Sequence, residues 1–373
     1  MDDGVNGLAS GMAGLITGAV LGLVITVLLE DYLKDRIRRA GAWLRRIRAH
    51  GPLPIATEAF RLGPLRTPTV IVEGDGEQII DQQSIHVLVD AGQVELPDEM
   101  QAWVEEIQQE QDRKKAAGQT HFWNGPVYAV TGFSISRTPI DERPEVYLHL
   151  IGSDYFTFLA GQRLDRPFAD GSTPRSRYVP ASADSTTTGF LCSSFGTNVA
   201  MVTADNALIV QLRSNSVGSQ PGTWSSSANE ALSATLDSRG RTAPDIYDVM
   251  RRGISEELSI DPAEYRLEMV AFTFDTERIQ WGATFVGFLH ELTANDVVER
   301  RSRGVPDKWE HQDLDFVKFE IDTVIRHLLR ADRIERWSSI APPLFYLALV
   351  RRYGRAAVER VSARVIRTSG QGA

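Results

Sequence analysis

Arg252, Glu256 and Glu257, in the run RRGISEELSI at residues 251–260, have the types and spacing to do chemistry. The run has the apolar spacing of a short amphipathic helix, with the paired glutamates near its C-terminal end, one turn after Arg252. Acid at that end opposes the helix dipole, which favours cations there by roughly 0.3–1 kcal/mol. Carboxylates kept in the less favourable place suggest that a positive charge is expected beside them. A divalent cation bound to a pyrophosphate would supply it. Mg2+ dehydrates reluctantly and binds through a few carboxylates together with substrate phosphate oxygens. Such a metal neutralises the diphosphate and helps activate a water for attack. Arg252, four residues before Glu256, can orient that carboxylate through a charged pair. The plainer alternative for two adjacent glutamates is a solvated helix end.

The elements that must position these residues follow from local pattern. Thr242-Ala243-Pro244-Asp245 reads as a capping box with Pro244 in the first turn, and Ile246, Val249, Met250 and Ile254 as the buried helix face. Upstream, NVAMVTADNALIVQLRS is a hairpin around the turn-forming Asp205-Asn206. Downstream, residues 269–274, 282–289 and 316–319 read as strands, and 343–361 as a last helix. Earlier in the chain, residues 69–72 and 84–89 read as strands on either side of Gly74-Asp75-Gly76. Pro97 opens a helix with acid early and base late, and 127–130 and 146–150 are strand-like. Residues 165–188 and 214–227 read as polar loops. The order of hairpin, polar loop, acid-bearing helix, strands and helix is that of an α+β fold, a mixed sheet packed with helices.

These residues carry a resemblance. VTADNALIVQLRS, then Glu230, then DIYDVMRRGISEELSI is similar to a Nudix hydrolase domain over about residues 191–353. FWNGPVYAV and SDYFTFLA resemble the N-terminal extension of the branch that includes UDP-sugar-cleaving Nudix proteins, which widens the likeness to about residue 60 onward. The resemblance implies Glu256 and Glu257 as Mg2+ (or Mn2+) ligands and Arg252 as the residue that orients them. The chain also departs from the family pattern. Gly253 stands where the family has a glutamate after the arginine, and Ser259 where it has a glycine. The upstream Gly-Gly pair falls near Ser226-Ser227-Ala228, and the first glutamate of the box near Pro244 and Asp245. Glu230 is the acid placed to compensate as a metal ligand, and Glu310, before a strand and beside His311, is placed as a late catalytic acid. Arg213 could face a phosphate, and Trp224 or Trp281 could stack on a base or sugar. Their plainer roles are solvated acid, strand-end base and core packing.

Composition adds the setting. The chain has 373 residues and a net charge of -9, so no overall basic character points to nucleic acid as a partner. Its single cysteine, Cys192, excludes an internal disulfide framework and fits a reducing compartment. Residues 7–29 carry no charge and, at about 1.5 Å per residue, are long enough to cross a hydrocarbon core of about 30 Å. Met1-Asp2-Asp3 lacks the basic start of a signal peptide, so a retained single-pass membrane anchor is expected. Lys34, Arg36, Arg38, Arg39, Arg45, Arg46 and Arg48 follow the segment, which places the C-terminal part in the cytoplasm. Gly14, Gly18 and Gly22 fall on one helix face, where a second copy could approach closely. The expected organisation is an anchor at 1–30, a basic linker at 31–55, an α/β extension at 56–185, the Nudix-like domain at 186–362 and a disordered tail at 363–373.

Three functions compete on this reading. The first is a membrane-anchored, Mg2+-dependent pyrophosphohydrolase of nucleoside diphosphate derivatives. The second is a catalytically degenerate Nudix-like sensor that binds a nucleotide or nucleotide sugar and signals through its membrane helix, in outline like effectors of nucleotide-signalled phage defence. The third is a structural membrane protein that keeps only the fold. Both glutamates of the pair persist, which favours the enzyme; Gly253 favours the sensor.

Overall fold

The computed structural model describes residues 59–179, 189–215, 217–304 and 311–369. The expected membrane segment with Gly14, Gly18 and Gly22, the basic linker, Glu310 and the side chain of His311 lie outside the described residues. Among the described residues no helix is long and apolar enough to cross a membrane. The chain divides into two units, Pro52–Ile135 with Pro144–Ala373, and Met1–Gly51 with Ser136–Arg143. In the second of these the described residues 136–143 hold a turn in which Arg143 donates its backbone N–H to Thr138 Oγ1 at 2.9 Å and pairs with Asp141 at 2.8 Å.

The larger unit is a mixed α+β structure. Its strands in chain order are β1 (Arg61–Leu62), β2 (Leu65–Arg66), β3 (Thr69–Glu73), β4 (Ile85–Gln93), β5 (Pro126–Arg137, whose last two residues belong to the smaller unit), β6 (Pro144–Asp154), β7 (Phe195–Val202), β8 (Ala207–Arg213), β9 (Trp224–Ser225), β10 (Ala228–Ala231), β11 (Tyr265–Asp275), β12 (Gln280–Leu289) and β13 (His311–Lys318). The main sheet runs β13-β8-β7-β12-β11-β3, with β10 on β7 and β9 on β8. A smaller sheet runs β4-β6-β5. The pair β7–β12 is parallel and lies at the centre of the main sheet.

Both faces of that sheet are covered, which is why its central strands read as continuous apolar runs rather than alternating ones. Val199, Met201, Ile209, Met269 and Phe285 point to one core, shared with the helix Ile246–Leu258 and the small sheet. Ala200, Val202, Leu208, Val210 and Val286 point to the other, shared with the helices Ile321–Leu328, Ala341–Tyr353 and Arg355–Ser369. Phe272 and Phe285 are fully buried, and truncating either to alanine would cost about 3–5 kcal/mol.

The structure corrects several boundaries. The stretches 56–185 and 186–362, expected as separate domains, share the main sheet, because β3 pairs antiparallel with β11. The last helix is two, Ala341–Tyr353 and Arg355–Ser369, broken at Gly354, whose φ of 78° ends an α-helix. The second of them runs through most of the expected tail, because Val358 and Val365 are buried on its inner face. Within the expected loop 165–188, Thr173 caps a short helix, Pro174–Tyr178.

The second core holds a buried polar chain. Arg333 donates to His327 Nε2 at 2.7 Å and to Asp315 at 2.6 Å, and its guanidinium lies 3.7 Å from the Trp224 ring centre. An arginine that donates to Nε2 requires a neutral ring, and burial, with Arg333 adding to it, lowers the His327 pKa from 6.5 to about 4. The unfolded chain therefore binds a proton that the folded chain refuses. The stability that His327 contributes is present above pH 6.5 and is lost as pH falls through the window from 6.5 to about 4. Urea unfolding across this window should show a shallower pH dependence in His327→Gln than in the unaltered chain.

Candidate functional site

The helix that carries the paired glutamates spans Ile246–Leu258. Its N-cap is Asp245, whose carboxylate accepts from the backbone N–H groups of Tyr247 and Asp248. The expected box from Thr242 is therefore displaced by three residues, and Pro244 lies outside the helix. Such a cap contributes about 1 kcal/mol. At the other end Ser259 adopts the left-handed conformation at φ 55°, a position that favours glycine. Ser226 and Ser227 are fully buried, and Ser227 Oγ accepts from the backbone N–H of Met201 at 2.7 Å.

Arg252 is the centre of the site. Its Nη1 donates to Glu256 at 3.2 Å and pairs with Glu230 at 2.9 Å, and its Nε and Nη2 make a two-pronged bond to Asp237 at 2.9 and 3.0 Å. Nη2 also donates to the Ala231 carbonyl at 3.0 Å. Burial works against the charge on Arg252, but Asp237, Glu230 and Glu256 outweigh it and raise its pKa. Burial drives the Glu230 carboxyl well above the usual carboxylate range against the pull of Arg252, with Glu257 and Glu256 adding to the rise. Asp237 is the member that the sequence did not reveal. It lies in an irregular stretch fifteen residues from Arg252, with only a lone acid in LDSRG as a signal.

The glutamate pair splits in role. Glu256 is a third exposed and faces Arg252. Glu257 is 2% exposed and accepts from the backbone N–H of Asn229 at 2.8 Å, so it fastens the helix to β10. Across from it, Arg301 loses some basicity to burial, and the Glu257 charge opposes that loss. Protein cations thus act on both glutamates, Arg252 on Glu256 through an ion pair and Arg301 on Glu257 through its charge.

The residues expected as a metal set, Glu256, Glu257 and Glu230, are engaged with protein partners. Among the described residues no group of three His, Cys, Asp or Glu is placed to hold a metal ion. Glu230 commits one oxygen to Arg252 and the other to the Ala231 N–H at 2.9 Å. Glu256 gives Oε2 to the same guanidinium, and Glu257 gives Oε1 to Asn229.

A cavity of about 530 Å3 opens beside this cluster, a size suited to a small organic ligand. Its lining includes the polar residues Arg213, Asn229, Glu230 and Arg252 and the aromatic residues Phe122, Trp123, Tyr155 and Trp281. Glu256 and Glu257 are not among its lining residues. Arg213 is nearly buried and donates to Asn229 Oδ1 at 2.8 Å and to the Ser219 carbonyl at 3.1 Å. The Asn229 side-chain nitrogen is buried without a hydrogen-bond partner among the described residues. The structure corrects the placement of Trp224. It is 9% exposed, packs under Arg333 in the second core and does not line the cavity, because β9 turns its ring to that face. Trp281 does line it, stacked on Phe133 with ring centres 4.6 Å apart.

No protein-family profile matches the chain, and no curated protein matches it in sequence. Among solved structures it is similar to a MutT NUDIX hydrolase from Burkholderia pseudomallei, with 19% identity and a TM-score of 0.23 over 35% of this chain and 84% of that one. It is also similar to a MutT protein from Methanosarcina mazei, with 12% identity and a TM-score of 0.26 over 44% of this chain and 94% of that one.

Gly253 has a steric cause. A Cβ there would lie 2.7 Å from Glu230 Cβ and 3.3 Å from Met250 Cε, so Glu230 fills the space that a side chain at 253 would need. Gly253→Ala should therefore lower stability in urea unfolding, although alanine favours a helix interior by about 0.8–1 kcal/mol. In a Glu230→Gly background the same change should become stabilising. A stabilising Gly253→Ala in the unaltered chain would show that the two positions do not compete.

Proposed function

We propose that the larger unit binds a nucleotide-type diphosphate in the cavity and holds it without hydrolysing it. The observation that carries this reading is the sharing of Arg252 between Glu230 and Glu256. Both carboxylates already have this cation as a partner, and Glu230 holds it from a largely buried position. The cavity meanwhile offers groups suited to an anion. Arg213 makes no ion pair among the described residues, and the unpartnered amide nitrogen of Asn229 is a donor beside it. The aromatic residues that also line it suit a base.

A second reading, Mg2+- or Mn2+-dependent pyrophosphohydrolysis, is favoured by one observation. Glu230 lies against Gly253, so a carboxylate is present close to where the family's glutamate is missing. In this reading Glu256, Glu257 and Glu230 would exchange their present partners for the metal. We propose further that residues 7–29 anchor the protein in a membrane with the larger unit in the cytoplasm, on the strength of their uncharged length and the basic residues that follow. A ligand-dependent association through Gly14, Gly18 and Gly22 would then carry the signal.

Two measurements test these readings. Calorimetry with ADP, UDP and inorganic pyrophosphate should show binding in the presence of EDTA, and chromatography of the same nucleotides with Mg2+ or Mn2+ should show no release of monophosphate. Turnover that is abolished by Glu256→Gln would overturn the binding reading in favour of the enzyme. In fractionated cells the full chain should sediment with membranes and resist carbonate extraction, whereas removal of residues 1–51 should release it; a full chain found in the soluble fraction defeats the anchor.

A further inference from the structure

Trp123 is 73% exposed, yet it lines the cavity, and its loop is fixed on every side. Before it, the backbone N–H of Phe122 donates to Gln111 Oε1 at 2.9 Å, which ties the loop to the helix Asp98–Ala116. After it, Asn124 Oδ1 accepts from the Phe156 N–H at 2.8 Å, and the Gly125 carbonyl accepts from the Tyr155 N–H at 2.9 Å. These two bonds tie the loop to the start of the helix Tyr155–Gly161. The Gly125 N–H closes a tight turn onto the Trp123 carbonyl at 3.0 Å.

Gly125 also seats the ring. A Cβ at 125 would lie 2.4 to 3.2 Å from three atoms of the six-membered ring of Trp123, so the indole packs directly against the glycine backbone. One side of the ring is held, and the rest stays in solvent at the mouth of the cavity. Phe122, in edge contact with Tyr155 at 5.8 Å between ring centres, continues the aromatic wall inward. Leaving so large an apolar surface in water is unfavourable, and the fixed loop denies it the option of folding away. A rigid, half-seated indole in a cavity that arginine also lines is suited to a ligand with a planar aromatic end and an anionic end.

We infer that Trp123 is the stacking platform for the aromatic base of the ligand, with Gly125 fixing the plane of the ring. The inference rests on the reading of the cavity as a nucleotide site. Stacking is indifferent to which base is offered, because every base has a π-face, so Trp123 sets selectivity for a nucleotide over a bare diphosphate rather than for one base over another.

The test is calorimetry on the full chain in EDTA with ADP, UDP and inorganic pyrophosphate. Trp123→Ala should weaken ADP and UDP by about tenfold or more and leave pyrophosphate within about twofold, the loss expected for one base stack. Trp123→Phe should recover most of the nucleotide affinity. Gly125→Ala, which displaces the ring without removing it, should behave like Trp123→Ala. Pyrophosphate and nucleotide affinities that fall together, or nucleotide affinity unchanged in Trp123→Ala, would overturn the platform while leaving the cavity a diphosphate site. An unaltered chain that binds none of the three probes would overturn the cavity reading and the platform with it.

Discussion

One guanidinium joins the parts of this site that come from different elements. Arg252 leaves the helix Ile246–Leu258 and meets Glu230 and the Ala231 carbonyl on β10, Asp237 in the stretch after it, and Glu256 one turn along its own helix. Without it, Asp237, whose side chain is 4% exposed, would be a buried carboxylate lacking its countercharge, and Glu230 would face Glu256 and Glu257 unscreened. Removing one partner of such a buried charge group costs about 3–5 kcal/mol, because the remaining charges are left uncompensated. The fastening of β10 to the helix, and with it the polar wall of the cavity, depends on that charge.

The consequence is a site with two faces of different character. On the helix side, acids are neutralised by arginine and by backbone N–H groups, and they hold the fold together. On the cavity side, Arg213 and Asn229 offer donors to an anion, and the aromatic residues offer flat apolar surface. Asn229 joins the two: its backbone N–H goes to Glu257, its side-chain oxygen accepts from Arg213, and its side-chain nitrogen is left over. Glu257 thus reaches the cavity through β10, by fixing the strand that holds Asn229 in place.

The central strands and the acid-bearing helix of the larger unit were legible because their patterns are local. The apolar runs of β7, β8, β11 and β12 and the inner face of the helix Ile246–Leu258 follow from spacing alone. So does the pairing of Arg252 with Glu256, a contact between residues one helical turn apart. Boundaries were less legible where one residue decides them. Asp245 takes the cap from Thr242 because its short carboxylate reaches two N–H groups at once, and Gly354 breaks a helical pattern that the apolar spacing carries straight through.

What the sequence determined by itself was the hairpin, the apolar strands after it, and a helix whose end carries more acid than its dipole favours. Tertiary structure decided what that acid meets. Asp237 joins Arg252 across fifteen residues, Asn229 joins Glu257 across twenty-eight, and Glu230 fills the space against Gly253, all through the placement of β10. It also sent Trp224 into the second core and left Trp123 at the cavity mouth, although both are tryptophans beside polar stretches. Periodicity fixes which side of an element is apolar; only the packing of one element on another fixes which charge stands beside which.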